Sequence, residues 1–282
     1  MLKVIPTGAA LAADIAGIDL AQPLRPADFG AIRQAWMQHY VLRVRGQSLT
    51  DDQLMAFSRN FGALDRNPRQ AKGEARDTAA DHVLVISNVV ENGKPIGGLG
   101  NHESKWHTDM SYVDIPPMAS ALYALEVPPS GGDTSFCNMV AAYEALPAAT
   151  QELITHLSCV HDSSLNSVGQ LRVGFEAVTD PRRTPGAVHP LVRTHPVTGR
   201  QGLFLGRRRN AYIPGLDLAE SEALLDELWD HATQPCFCWT QHWKVGDLVL
   251  WDNRCVLHRR DEFEGTARRV MHRTQISGDR PF

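Results

Sequence analysis

The sequence predicts a mainly β protein with a few peripheral helices, an antiparallel barrel or sandwich built as a single domain over residues 1–282. Three observations predict this. Short strand-like runs outnumber helical ones, and the two do not alternate as a doubly wound sheet requires. No internal repeat, low-complexity block or charge-rich linker divides the chain.

The elements follow in order. Phe29, Ile32, Trp36 and Tyr40 recur at helical spacing after Pro26, which suits a first helical turn. Residues 41–44 read as a strand. Thr50 and Gln53 form a capping box ahead of Leu54 and Phe57, with Gly62 closing that helix. A β run at 83–86 precedes the glycine-rich 97–100, and 106–127 reads as two strands around Pro116 and Pro117. Residues 139–157 read as helical, with Pro147 opening a new turn and Leu153, Ile154 and Leu157 on one face. The polar stretch 163–187, rich in Ser, Arg, Pro and Gly, is longer than a plain connector and predicts a lid or binding loop. Strands return at 191–194 and 203–205. Asp217 and Glu220 cap a helix carrying Leu224, Leu225, Leu228 and Trp229, and the tail is β at 237–239, 248–252 and 269–276.

Composition excludes several classes of function. The 28 Lys+Arg against 32 Asp+Glu leave a net charge of −4, so no positive field gathers nucleic acid or an anionic membrane. Cys137, Cys159, Cys236, Cys238 and Cys255 form no CxxC pair or regular framework, which fits a reducing compartment and argues against thiolate zinc. The apolar stretch 9–13, bounded by Pro6, Gly8 and Asp14, is too short for a signal h-region or a membrane span. The expectation is a soluble cytoplasmic protein.

Chemistry concentrates at a few positions. In a strand alternate side chains share a face, so His107 and Asp109 would project together toward one cation. The pair alone is common, and an exposed histidine beside a loop aspartate accounts for it equally. His258, after Trp251-Asp252-Asn253-Arg254, offers a third ligand. Two imidazoles and a carboxylate occupy one face of an octahedron and leave three positions open, which suits non-haem Fe(II). Arg269 and Arg273 share parity with Met271 on a strand, and if they face a barrel interior each requires an anion. Arg259, Arg260 and Arg268 read as surface charges, and Arg207 to Arg209, with Asn210 to Tyr212, as a solvated basic turn in preference to a different anion site. The remaining histidines lack ligand spacing and read as structural or surface residues.

Residues 15–20, Phe61-Gly62, Trp106-His107-Thr108-Asp109, 127–134, 142–146 and Trp251-Asp252-Asn253-Arg254 stand in a characteristic order and spacing. Through them the sequence resembles the taurine dioxygenase and aryloxyalkanoate dioxygenase family over nearly its whole length. The resemblance implies a double-stranded β-helix (jelly-roll) core, with Fe(II) held by His107, Asp109 and His258 and no catalytic side chain beyond these ligands. It implies 2-oxoglutarate as co-substrate, bound by Thr134 and by Arg269, the arginine 11 residues after His258. Arg273, four residues on, is implied to hold the substrate's own sulfonate or carboxylate. The implied reaction consumes O2 and 2-oxoglutarate, hydroxylates a small organic anion and yields succinate and CO2. Family members commonly self-associate, so a homo-oligomer is expected.

Around the substrate the sequence departs from the taurine pattern. Asn67 and Gln70 stand where the taurine enzymes have histidine and tyrosine, and Glu103 where they have asparagine. A carboxylate there is unfavourable near an anion unless it turns away or meets a cation. Residues 191–195 and 251–259 are closer to the aryloxyalkanoate branch, which favours an aryloxyalkanoate-like carboxylate. A zinc-dependent hydrolase using the same ligands, and a jelly-roll module that binds metal without turnover, are the alternatives.

Overall fold

The structure, a computed structural model, describes residues 1–66 and 78–282; Asn67 and Gln70 lie outside them. The chain opens with strands β1 (Lys3–Pro6) and β2 (Ala13–Ala16), helix α1 (Pro26–His39), strand β3 (Val41–Val44) and helix α2 (Asp51–Arg59). Pro26 lies in the first turn of α1, and Tyr40 ends the helix with φ 61°, returning its N–H to the Trp36 carbonyl. At α2 the capping box is complete, the Thr50 N–H donating to Gln53 Oε1 at 2.9 Å and the Gln53 N–H to Thr50 Oγ1 at 3.3 Å.

Helix α3 (Ala79–His82) leads into β4 (Leu84–Ser87) and three two-residue strands, β5 (Val90–Glu91), β6 (Lys94–Pro95) and β7 (Gly98–Leu99). There follow β8 (Ser104–His107), β9 (Ala119–Glu126), β10 (Thr134–Asn138), α4 (Met139–Glu144), α5 (Ala148–Ile154) and β11 (Ser158–Asp162). Strands β12 (Gly186–Pro190), β13 (Val192–Thr194) and β14 (Gln201–Leu203) precede helix α6 (Leu218–Ala232). The chain finishes with β15 (Cys238–Gln241), β16 (Leu248–Asp252), β17 (Val256–Arg260) and β18 (Val270–Ile276).

Two sheets build the jelly roll. The larger has the order β1-β2-β3-β16-β9-β18-β4-β7, and the smaller β15-β10-β17-β8. Phe136, Trp251, Val249, Leu122 and Met271 form the core between them. Helices α1 and α2 cover the outer face of the large sheet, setting Ile32, Trp36, Leu54 and Phe57 against Leu42, Tyr123 and Leu248. A third cluster joins α4 and α6 through Tyr143, Leu225, Leu228 and Trp229. Among the described residues no helix is long and apolar enough to cross a membrane.

Two expectations are corrected. Residues 139–157 form two short helices parted at Pro147, and Leu153 is 58% exposed while Ile154 is fully buried. Consecutive helical residues point about 100° apart, so a two-turn helix offers the core one narrow stripe that both cannot share. The cysteines are not all thiols either. Cys137 and Cys238 face each other across β10 and β15 with Cα atoms 4.3 Å apart and form a disulfide. Their sequence separation of 101 residues hides a pairing that only strand register creates. Cys159, Cys236 and Cys255 are free.

Candidate active site

Strand β8 delivers His107, and the antiparallel register of β8 with β17 sets it opposite His258. The two rings lie 4.2 Å apart between centroids. Asp109 is not part of the strand, contrary to the alternation argument. β8 ends at His107, and a turn pinned by the Thr108 N–H to the Gly206 carbonyl at 3.0 Å carries the carboxylate inward. Asp109 Oδ1 then stands 3.7 Å from His107 Nε2 and 3.8 Å from His258 Nε2. One ligand atom from each of the three buried residues lies within 4.8 Å of the others.

The surroundings orient His107 and set the charge of His258 and Asp109. The Nδ1–H of His107 donates to the Lys105 carbonyl at 2.7 Å, which turns Nε2 toward Asp109. Burial, then the neighbouring His107, holds His258 well below the ordinary histidine range, against the opposing pull of Asp109. For Asp109 burial pushes the carboxyl up, but Arg273 and the two histidines outweigh it and hold the group well below the usual carboxylate range. Ser120 Oγ donates to Asp109 Oδ2 at 2.8 Å, Asn253 Nδ2 to Ser120 Oγ at 3.2 Å, and the Trp251 indole N–H to Asn253 Oδ1 at 2.8 Å. Trp251 and Asn253 therefore orient the carboxylate. The intervening Asp252 takes Arg254 at 2.6 Å and His195 at 3.1 Å. His195, Asp252 and Cys255 also converge, but those bonds and the Arg254 N–H and Nε bonds to Oδ1 already occupy the carboxylate, so that cluster is a structural knot.

The three residues open on a cavity of about 660 Å³ between the sheets, lined also by Thr134, Arg207, Arg260, Arg269 and Arg273. Arg269 is 2% exposed, and its Nε has no partner among the described residues. Burial, then Arg260, lowers its pKa to about 9, against the attraction of Asp133. Thr134 Oγ1 accepts the Trp243 indole N–H at 3.0 Å, so its own hydroxyl hydrogen points elsewhere. Arg273 faces the cavity on the same side as Arg269, as parity predicts, and its Nη1 donates to both Asp109 oxygens at 2.9 and 3.0 Å.

Two arginines depart from the sequence reading. Arg260 is buried rather than on the surface, because it follows His258 by two on β17 and shares its face. Arg207 is not a solvated turn residue. An isolated bridge sets it beside His107, and its guanidinium lies 5.3 Å from the Tyr112 ring, with Arg172 at 3.9 Å from the same ring. Arg208 pairs with Glu222 and Asp226, and Arg268 with Glu126 and Glu91, both outward as expected. Glu103 bonds Lys105 and lies 3.5 Å from Arg259, so it meets cations and does not line the cavity. Spacing by two from His258 could have flagged Arg260; for Arg207 the basic run itself was the signal, but nothing in it tells the inward arginine from its outward neighbour Arg208.

Comparison with known proteins agrees with this geometry. Residues 3–275 match the family described as "Taurine catabolism dioxygenase TauD, TfdA family". The chain is 36% identical to an (S)-phenoxypropionate/alpha-ketoglutarate-dioxygenase of Delftia acidovorans, over 98% of this chain and 95% of that one. It is 38% identical to an alpha-ketoglutarate-dependent 2,4-dichlorophenoxyacetate dioxygenase of Cupriavidus pinatubonensis, over 95% of each. The crystal structure of AAD-2 in complex with Mn(II) and N-oxalylglycine superposes with a TM-score of 0.81 at 33% identity, covering 100% of this chain and 99% of that one. Neither the zinc hydrolase nor the non-catalytic module survives these matches. A buried two-histidine, one-carboxylate cluster on a jelly roll, matched along almost the entire sequence, makes this chain a member of the TauD/TfdA family of Fe(II)- and 2-oxoglutarate-dependent dioxygenases.

Proposed function

We propose that His107, Asp109 and His258 hold the Fe(II), that Thr134 and Arg269 hold the 2-oxoglutarate, and that Arg273 anchors the anionic group of a carboxylate substrate. One observation carries the reading. The three ligand groups share a cavity with the buried Arg269 guanidinium, which among the described residues pairs with no carboxylate, as a metal site beside a dicarboxylate requires. When bound, the metal and co-substrate supply an oxidising chemistry that turns O2, 2-oxoglutarate and a substrate C–H bond into succinate, CO2 and a hydroxylated product. The protein's share is placement. Arg269 offers a planar fork to a carboxylate, and the free hydroxyl hydrogen of Thr134 donates beside it. Arg273 fixes the substrate anion at a set distance from Asp109, which it also touches.

The rest of the lining supports an aryloxyalkanoate-like carboxylate. Leu84, Ile86, Leu122 and Leu171 give an apolar body to a cavity whose charged groups are almost all arginines. The named substrates of the two relatives, phenoxypropionate and 2,4-dichlorophenoxyacetate, have that same division. Residues 166, 167 and 171–173 line the cavity, which supports reading 163–187 as a binding loop.

The test is anaerobic mixing of the protein with Fe(II) and 2-oxoglutarate. A visible charge-transfer band should appear and vanish in His107→Ala and Asp109→Ala. Succinate release should then depend on a substrate drawn from a panel of aryloxyalkanoates, alkyl sulfates and sulfonates. A band that survives both substitutions, or succinate formed only with sulfonates, would contradict the assignment of ligands or of substrate respectively.

A further inference from the structure

Thr134 and Arg269 leave a buried cation on their own end of the cavity without a task. Arg260 is 6% exposed, and its Nη2 donates only to the carbonyls of Leu99 and His102. Its Nε has no partner, and among the described residues no carboxylate pairs with it. Among the described residues Asp109 is the one acidic side chain lining the cavity, and Arg273 already holds it. Burying a guanidinium without a counter-charge is costly, and burying two in one place costs more, unless an anion arrives to share.

The register says where Arg260 stands. Across β10 and β17, Phe136 faces His258 and Thr134 faces Arg260. Arg260 thus lies two residues, about 6.6 Å, along the strand from the metal end. That is close to the reach of a five-carbon keto diacid chelated at one end. Arg269 borders the same end of β10, its Cδ and Nε 3.3 Å from where a Cβ on Gly132 would sit. A carboxylate has about four lone-pair positions and can accept from both guanidiniums and from Thr134 together.

Building on the proposed function, we propose that Arg260 is a second anion-binding residue for 2-oxoglutarate, sharing with Arg269 the carboxylate remote from the metal. Through its bonds to Leu99 and His102 it ties the wall formed by β7 and the turn before β8 to that carboxylate. A purely structural tie would use those same two carbonyls, so the test must separate a carboxylate contact from a loop contact.

The full-length Fe(II) protein is titrated anaerobically with 2-oxoglutarate and, separately, with 2-oxopentanoate, which keeps the chelating end and lacks the remote carboxylate. Binding is followed by the charge-transfer band and by calorimetry. Arg260→Met should weaken 2-oxoglutarate about ten-fold or more, as loss of a charge-assisted bond predicts. It should leave 2-oxopentanoate within about two-fold, and Arg260→Lys should recover part of the loss. Equal weakening of both ligands, or no change in either, overturns the proposal. Arg269→Met serves as the comparison, and the lysine variant decides the matter if the methionine variant does not fold. Failure of the wild-type protein to bind either keto acid would instead overturn the assignment of the site itself.

Discussion

At the scale of single residues, the imidazole of His161 illustrates how burial, more than any neighbouring charge, sets a protonation state. It is enclosed against the rings of His189 and Phe204, and a Cβ on Gly206 would fall 2.1 Å from its Nδ1. Burial, then His189, lowers its pKa to about 3, with Arg207 acting in the same direction. The unfolded chain therefore binds a proton that the native state refuses. Stability from this site is complete above the ordinary histidine pKa and is lost as pH falls from about 6.5 toward 3, by about 2 kcal/mol at pH 5. His161→Phe should flatten the pH dependence of urea unfolding between pH 4 and 6.5; an unchanged slope would show that the imidazole is not the group responsible. Ser120 is a second case. Removing its bond to the proposed ligand Asp109 in Ser120→Ala should cost about ten-fold in Fe(II) or Co(II) affinity, read by anaerobic metal titration, with the fold intact. His107, Asp109 and His258 were legible in the sequence as a set, whereas the Trp251–Asn253–Ser120 chain was not, because Ser120 lies on another strand of the same sheet.

At the scale of elements, legibility follows local signals. The capping boxes at Thr50 and Asp217 and the proline at the start of α1 marked three helices correctly, since each signal acts within four residues. β10 left no such trace. All five of its residues are buried, so Thr-Ser-Phe-Cys-Asn lacks the apolar–polar alternation that betrays a half-exposed strand. β17 is likewise buried almost throughout, and with it the inward direction of Arg260 stayed hidden. Helix α2 bears directly on β18. Ser58 and Thr274 share a hydrogen bond of 2.7 Å, and His272 meets Asp51 at 2.5 Å. Thr50→Ala should lower the stability of the whole chain by about 1 kcal/mol in chemical denaturation, as loss of an N-cap does. Since α2 buttresses the strand that follows Arg269, a small rise in the Kd for 2-oxoglutarate should accompany it.

For the whole molecule, the site is a property of two sheets facing each other. His107, Thr134, His258 and Arg260 come from the smaller sheet, and Arg273 from the larger, with Arg269 immediately before β18. Composition and the absence of β-α alternation were enough for the class of fold. The strand order was not legible, because each neighbour relation joins segments far apart in the chain. Ligands that bridge the sheets should stabilise them jointly. Mn(II) with 2-oxoglutarate at about 100 times Kd should add about 2.7 kcal/mol to unfolding, seen as one concerted shift in melting temperature and not as two transitions.

The cavity wall formed by residues 166, 167 and 171–173 belongs to neither of these sheets. Exchange of side chains there alters the shape offered to an incoming molecule while the pairing of β8, β10 and β17 goes untouched. The molecule thus keeps its tool fixed in the frame and its template on a replaceable rim, and new substrate preferences should arise by trading residues of that rim before any change in the frame.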